Sequence, residues 1–253
     1  MKQAMHISRR SAIAAAGASG WSLLMGALMS NAGAVQPFAK GQSEVPALLD
    51  HLVWLAGDLD DACTQFEAMS GVAPRYGGAH PSGTHNAIVG LGDQVYLEIA
   101  APVPDAEPGH PWVDAARRRS EPHLYSYCMR SKRSLSMLAE HAKMAGLSAF
   151  GPLPGSRTTP DGRTLEWDLF IPVVAGADKA IPFLIDWGKT PHPAPNASGA
   201  IKLVSFKVGH PAPDRIQAPM SMFAPGVELT KTAGASTLKA RIATPLGEVV
   251  LRS

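Results

Sequence analysis

The stretch from residue 49 to residue 102 decides the fold. It opens LDHLVWLAGDLDDACTQFEAMSGVAP (49–74), continues through GGAHPSGTHNAIVGLG (77–92) and closes DQVYLEIAAP (93–102). Its apolar runs and turn residues predict a strand, an amphipathic helix, a glycine-rich loop and a two-strand hairpin. The first strand carries His51, and the last carries Glu98 among apolar neighbours. Imidazole and carboxylate on neighbouring strands of one sheet are what a divalent metal site requires.

The start, the buried face and the end of the helix in this stretch can each be predicted from nearby residues. Asp58 suits the helix N-terminus, and Ser70-Gly71 suits the C-terminus. The residues between them place one apolar stripe against the sheet, namely Leu59, Ala62, Cys63, Phe66 and Met69. A further short strand near residues 74–78 completes a βαβββ order.

The same pattern recurs twice along the chain, which makes the internal repeat the main indication of architecture. In the second unit, Thr159-Pro160-Asp161-Gly162-Arg163 predicts a hairpin turn, because Pro fixes φ and Gly accepts a positive φ. The predicted elements of the second unit are Leu124–Met129, Ser134–Ala145, Thr164–Ile171 and Ile181–Trp187. Those of a shorter third unit are Ile201–Val208, Ala212–Phe223, Ala235–Ala243 and Gly247–Leu251. The predicted class is α+β, with a β-rich third unit at the C-terminus.

The first 34 residues predict an export signal rather than part of the fold. Arg9-Arg10 precedes a long uncharged run that ends in Ala32-Gly33-Ala34, a small-x-small cleavage site. The arginine pair indicates the twin-arginine route to the periplasm or the exterior. Because the run is rich in Ala, Gly and Ser, we expect no stable membrane span after cleavage. An uncleaved anchor is the alternative interpretation.

The charge balance of the chain and the positions of its two cysteines limit the functions that it could have. Without Lys2, Arg9 and Arg10 the chain has 20 basic and 21 acidic residues, so a nucleic-acid-binding surface is not indicated. The two cysteines, Cys63 and Cys128, fall on a helix stripe and in a strand. We expect two separate buried thiols, although an exported chain could oxidise them.

Several motifs together resemble the glyoxalase-like domain family of the vicinal oxygen chelate superfamily. They are Leu49-Asp50-His51-Leu52-Val53, Gly83-Thr84-His85-Asn86-Ala87, Tyr96-Leu97-Glu98-Ile99, Gly155-Ser156-Arg157, Pro182-Phe183-Leu184-Ile185-Asp186-Trp187 and Pro245-Leu246-Gly247-Glu248-Val249. The resemblance covers residues 48 to 251. It implies paired βαβββ modules that curl into cups, at residues 48–104 and 123–190. Residues 35–47 and 105–122 connect them, and residues 191–253 hold a linker and a partial third module.

The resemblance also implies a metal site, since metal ligands in such proteins come from the first and last strands of a module. His51 and Glu98 occupy those places, and His85 would complete a His-His-Glu set suited to zinc, iron, manganese or nickel. In the second module the matching positions are near His123–Tyr125 and at Asp186. Tyr125 is not a usual ligand, so the second module departs from the complete set.

The expected activity follows from that site. A metal-dependent lyase, isomerase or dioxygenase acting on a small oxygenated substrate is one hypothesis, with Glu98 and Asp186 as the groups that move protons. Arg157, Asn86 and Trp187 are the expected substrate contacts. The alternative is a binding protein of the same fold that sequesters small molecules without catalysis. A homodimer is left open.

Overall fold

The structure, a computed structural model, describes residues 44–194 and 200–253. The predicted export signal and most of the linker at residues 35–47 lie outside the described residues. None of the helices within the described ranges is both long enough and apolar enough to cross a membrane.

The first module has the βαβββ order that its sequence predicts. Its elements are β1 (Leu49–Leu55), α1 (Leu59–Ser70), β2 (Arg75–Ala79), β3 (Thr84–Gly90) and β4 (Tyr96–Pro102). The Asp58 side chain caps α1 by accepting a hydrogen bond from the Asp61 amide at 2.9 Å. Gly71 ends the helix at a φ of +73°, where a side chain would be strained.

The second module repeats this order after a short connecting helix, α2 (Pro111–Arg117). Its elements are β5 (His123–Arg130), α3 (Leu135–Met144), β6 (Ser148–Thr158), β7 (Thr164–Val173) and β8 (Phe183–Asp186). The predicted turn at residues 159–163 is confirmed, but it joins β7 to β6, a strand that the sequence analysis did not predict. Pro152 and Pro154 obscure β6, because proline is rare inside strands.

The third unit is also βαβββ, with one strand more than its sequence predicted. It consists of β9 (Lys202–His210), α4 (Pro213–Phe223), β10 (Glu228–Lys231), β11 (Thr237–Thr244) and β12 (Gly247–Arg252). The additional strand, β10, has four residues and lies at the edge of a four-stranded sheet of order β10-β9-β11-β12.

The strands of the first two modules form one closed barrel of order β1-β4-β3-β2-β6-β7-β8-β5. One junction between the modules is the antiparallel pair β1–β5, in which His51 lies opposite Cys128. The other junction has a single paired position, Ala79 with Thr158, between β2 and β6. The α+β class with paired βαβββ modules is therefore confirmed, and the two cups close into one barrel.

Alternation along β1 divides its apolar side chains between two cores. Leu52 and Trp54 face outward into the large core shared with the helices and the second sheet. Val53 and Leu55 face into the barrel, where they pack against Ala115 and Ala116 of α2. The connecting helix thus covers the apolar end of the barrel interior, and the polar side chains are left for the other end.

Candidate functional site

The polar end of the barrel interior is built by β1 and β4. These strands are parallel, and His51 is paired with Tyr96 while Val53 is paired with Glu98. Because neighbouring strands share their inward positions, His51, Tyr96 and Glu98 all face the interior. The rings of His51 and Tyr96 stack with centroids 4.6 Å apart.

Glu98 is a buried carboxylate with imidazole nitrogens beside it. Its side chain is 5% exposed, and Oε1 accepts a hydrogen bond from Asn86 Nδ2 at 2.6 Å. The Nε2 atom of His51 lies 3.6 Å from Oε2, and the Nε2 atom of His80 lies 3.9 Å from Oε1. Both separations are longer than a hydrogen bond, so each ring nitrogen faces an oxygen across a gap.

A β-bulge brings Asp50 to the same side as His51. The pairing of β1 with β5 shifts between Leu49–Met129 and His51–Cys128, so Asp50 is the additional residue. A bulge of this kind redirects a side chain that would otherwise point to the opposite face. As a result, Asp50 Oδ1 lies 2.7 Å from Nδ1 of His51, although the two residues are adjacent in sequence.

Asp50 is fully buried and accepts three hydrogen bonds. Besides His51, its donors are Trp187 Nε1 and His192 Nε2, each 3.1 Å from Oδ2. The guanidinium of Arg130 lies 3.9 Å from the same oxygen. Burial raises the pKa of Asp50, but the hydrogen bonds and charges of the two histidines outweigh it and hold the pKa well below its usual range. Asp50 is therefore an anion that fixes its neighbours.

The orientation of both imidazoles follows from these contacts. Ionised Asp50 can only accept, so Nδ1 of His51 carries a proton, and Nε2 is the ring nitrogen that faces Glu98. His80 Nδ1 lies 3.0 Å from the Thr84 hydroxyl, which leaves its Nε2 toward Glu98 as well. Burial holds the pKa of His80 below its usual value, with Arg157 assisting and Glu98 opposing, so the neutral ring is favoured.

Two overlapping groups of residues could hold a metal ion. Asp50, His51 and Cys128 each offer a ligand atom within 4.8 Å of the others. In that group both Asp50 oxygens already accept hydrogen bonds. Burial, and then the charges of Asp50 and Glu98, raise the pKa of the Cys128 thiol well above its usual value. A bound metal ion would offset those charges and deprotonate a coordinating thiol.

The second group is His51, His80 and Glu98, two imidazoles beside one carboxylate. Nε2 of His51 lies 3.6 Å from Oε2 of Glu98, and Nε2 of His80 lies 3.9 Å from Oε1. Two ligands that are each about 2.1 Å from one ion in tetrahedral geometry are separated by about 3.4 Å. Both separations exceed that value, so the side chains of this group would have to move closer together to hold one ion. Asp50 then supplies the carboxylate behind a ligating histidine that metal sites commonly use.

Two residues in the predicted site are not brought to Glu98. His85 alternates with Asn86 on β3, so it faces the opposite side of the strand, where its ring centroid lies 6.2 Å from that of Tyr76. Asp186 alternates with inward-facing Phe183 and Ile185, is exposed, and accepts a hydrogen bond from the Gly188 amide at 2.9 Å. The structure therefore places His80 rather than His85 beside Glu98, and it places Asp186 in an exposed turn.

Of the three residues expected to contact a substrate, Asn86 and Trp187 are bonded to Glu98 and Asp50, and Arg157 lies beside Asn86. Arg157 is 5% exposed, donates to the Gly77 carbonyl through Nη1, and lies 3.5 Å from Asn86 Oδ1. Asn86 in turn holds Glu98, and Trp187 donates to Asp50. Asn86 and Trp187 are thus engaged with the carboxylates of the site.

Sequence reasoning missed Asp50 and His192. The only local signal for Asp50 is a charged residue inside an otherwise apolar strand, next to His51. His192 lies in a stretch of proline and alanine that is typical of a linker, so nothing in its neighbours points to a site.

Apart from Cys128, the side chains that α2 and the second module place near His51 are aromatic. Phe183 packs edge-on to His51, with ring centroids 5.4 Å apart. Trp112 of α2 contacts both Tyr125 and Phe183, at 6.0 and 5.9 Å. The interior therefore has an apolar aromatic wall directly beside the His51 ring.

Comparisons with known proteins agree with this architecture. The sequence model of a protein family described as "glyoxalase-like domain" matches residues 49–221. A hypothetical protein from Staphylococcus aureus is similar in structure, with a TM-score of 0.56 at 12% identity, covering 81% of this chain and 84% of that one. Methylmalonyl-CoA epimerase from Streptomyces coelicolor has a TM-score of 0.43 at 14% identity, covering 59% and 100%. The Mycobacterium tuberculosis epimerase has 0.39 at 14%, covering 59% and 91%. No curated protein sequence matches significantly.

Proposed function

We propose, from the premise that this chain belongs to the glyoxalase-like domain family, that it binds a divalent metal ion and a small oxygenated substrate inside its barrel. One observation carries the proposal. The imidazoles of His51 and His80 direct Nε2 toward the buried carboxylate of Glu98 at 3.6 and 3.9 Å, and Asp50 holds His51 at 2.7 Å. These three residues would hold the ion.

The side chains around His51, His80 and Glu98 have different roles in the proposed site. A divalent ion held by imidazole and carboxylate supplies Lewis acidity, which stabilises negative charge on a substrate oxygen. Asp50 fixes the tautomer of His51, and Asn86 fixes Oε1 of Glu98. The Oε2 atom of Glu98 accepts no hydrogen bond from any described residue, so it is the oxygen best placed to accept a substrate proton.

The proposed metal site is suited to three classes of reaction, those of a lyase, an isomerase or a dioxygenase. All three use a Lewis-acidic centre with open positions and a nearby base. Glu98 is then both a ligand and the nearest base. An isomerase or lyase needs that base to move a proton, whereas a dioxygenase needs a metal that reacts with oxygen, so metal identity separates the classes.

Metal analysis of protein purified without chelator tests the proposal. We expect about one equivalent of a transition metal in the wild type and a loss of most of it in His51→Ala and Glu98→Gln. Matched controls are His141→Ala on α3 and Glu166→Gln on β7, which should keep the metal. A wild type without metal, whose stability is unchanged by EDTA, would contradict the proposal.

A second candidate is a binding protein without catalysis. The aromatic wall of Trp112, Tyr125 and Phe183 favours this candidate. Metal ligands from the second module would otherwise be expected on that side of the interior. An apolar wall with few polar groups is typical of small-molecule sites. The two candidates differ in their response to EDTA: a sequestering protein should bind planar aromatic compounds equally well before and after metal removal.

We further propose export by the twin-arginine route, which rests on Arg9-Arg10 and on the run that ends at Ala34. Cell fractionation of the full chain tests it. The wild type should accumulate in the periplasm or the medium in a shortened form. The double substitution Arg9→Lys, Arg10→Lys should remain inside the cell at full length, and equal export of both forms would refute the route.

A further inference from the structure

Two strand glycines make room for the buried Arg157. A Cβ atom at Gly77 would lie 2.3 Å from Asn86 Oδ1 and 2.6 Å from Arg157 Nη1. A Cβ atom at Gly78 would lie 2.3 Å from the Thr158 carbonyl oxygen. Glycine weakens a strand interior, and it often marks a place where another group approaches closely. Here the approaching groups are the guanidinium of Arg157 and the amide that holds Glu98.

Arg157 is a buried cation without a carboxylate partner. Its side chain is 5% exposed, yet no acidic oxygen among residues 44–194 and 200–253 lies within 4.0 Å of it. Only Nη1 is engaged, with Gly77 and Asn86, so Nε and Nη2 make no hydrogen bond within the described part of the chain. A buried charge is costly unless it is paired and hydrogen-bonded. Nε and Nη2 of Arg157 are therefore available to donate hydrogen bonds to a bound anion.

A cleft of about 360 Å³ opens beside these donors. It lies at the narrow junction of β2 and β6 and is lined by Ala79, His80, Pro81, Ser156, Arg157 and Thr158. This lining contains a guanidinium and an imidazole but no acid, and the volume falls within the range of about 300–1,000 Å³ that is usual for small-molecule sites. The cleft is thus open to solvent and is bordered by both His80 and Arg157.

The charges around the site leave one cation unbalanced. Asp50 has Arg130 beside it at 3.9 Å. Glu98 would be neutralised by the ion that it helps to hold. Arg157 then remains, and a planar guanidinium with free donors matches a carboxylate in both charge and geometry.

We propose that this cleft binds the carboxylate of the substrate, a small organic acid. The inference rests on the proposed function for the substrate's second oxygen, which lies toward Glu98. A single side chain, Asn86, separates the two positions: its Oδ1 is 3.5 Å from Arg157, and its Nδ2 is 2.6 Å from Glu98. A small acid held at Arg157 would therefore lie on the far side of Asn86 from Glu98.

The test compares pyruvate with its neutral analogue pyruvamide by calorimetric titration. Both are titrated into metal-loaded and into EDTA-treated protein. Wild-type protein should bind pyruvate at least about tenfold more tightly than pyruvamide in both states, because charged hydrogen bonds discriminate by that amount or more. Equal binding of the two probes by the wild type would overturn the proposal without any variant.

Variants then test whether Arg157 is the residue that distinguishes pyruvate from pyruvamide. Arg157→Gln should abolish the preference for pyruvate, and Arg157→Lys, which keeps the charge but not the planar fork, should keep part of it. The control Arg163→Gln removes an exposed arginine bound to Asp161 and should change nothing. A preference that survives in folded Arg157→Gln overturns the proposal.

Failure of the metal proposal would look different from failure of this one. A wild type that never contains metal but still prefers pyruvate through Arg157 would refute the metal and support the carboxylate cleft. Metal content that is retained in the Arg157 variants while the preference is lost would support both.

Discussion

The Nδ1 atom of His51 lies 2.7 Å from Oδ1 of Asp50, the residue immediately before it in the same strand. Adjacent strand residues normally point to opposite faces, so this contact depends on the bulge at Asp50. The bulge gives His51 a fixed tautomer and a fixed ring angle, which is what a metal-ligating histidine requires from its supporting carboxylate.

Asp50→Asn should weaken metal binding without abolishing it. The amide can still accept from His51, but its NH₂ group would face the donors of Trp187 and His192. We expect affinity to fall by about 10–100-fold, as is usual for loss of a supporting carboxylate. Competition titration with a chelator measures it, and Asp161→Asn on the exposed β6–β7 turn is the control. Unchanged affinity in Asp50→Asn would show that Asp50 does not orient the site.

His80 and His85 give opposite predictions. His80→Ala should lose most of the metal, because its Nε2 lies 3.9 Å from Glu98. His85→Ala should keep it, because that ring packs near Tyr76 on the other face of β3. Metal content of the two purified variants decides the matter. Loss in His85→Ala with retention in His80→Ala would mean that the β3 register differs from the one described.

Cys128→Ala should retain the metal. The Cys128 thiol is buried, and its pKa is raised well above the usual value by burial and by the nearby acids Asp50 and Glu98. In the proposed site the ion takes its ligands from His51, His80 and Glu98, so removing this thiol should not remove the ion. The same metal analysis applies. Loss of metal from a folded Cys128→Ala variant would instead favour Asp50, His51 and Cys128 as the ligands.

Cys63 should react with thiol reagents only at high pH. Burial, and then the charges of Asp60 and Asp58, raise the pKa of its thiol to about 11. The fraction of reactive thiolate is therefore small at pH 8 and grows as the pH rises toward that value. Rates with a thiol-specific chromophore at pH 8 and pH 10 test the expectation in Cys128→Ala protein. A rate that does not depend on pH over this range would contradict it.

Gly77→Ala should reduce both stability and site integrity. The new methyl group would collide with Asn86 and Arg157, and overpacking in a buried position costs about 1–3 kcal/mol of unfolding free energy. Gly234→Ala is the matched control, because a Cβ there meets nothing within 4 Å. Urea denaturation compares the two variants. If Gly77→Ala is as stable as Gly234→Ala and keeps its metal, Arg157 is not held as described.

More of the barrel than of the candidate site could be predicted from the sequence. The apolar stripe from Leu59 to Met69, the cap at Asp58 and the turn at Gly162 are local patterns, and each appears where expected. The strands β6 and β10 were missed for local reasons as well, since one contains prolines and the other has only four residues. Within the site, His51 and Glu98 could be identified because both stand in apolar strands.

By itself, the sequence determined that a strand, a helix and further strands recur in three units, and it placed His51 and Glu98 on the first and last strands of one module. It could do so because periodicity and turn residues act over a few positions along the chain. Only the tertiary structure decided that His80 rather than His85 faces Glu98, and that Asp50 turns toward His51. The first depends on which face of β3 pairs inward with β4, and the second on a one-residue bulge against β5. Both are set by strand register between distant segments, which leaves no mark on the neighbouring residues.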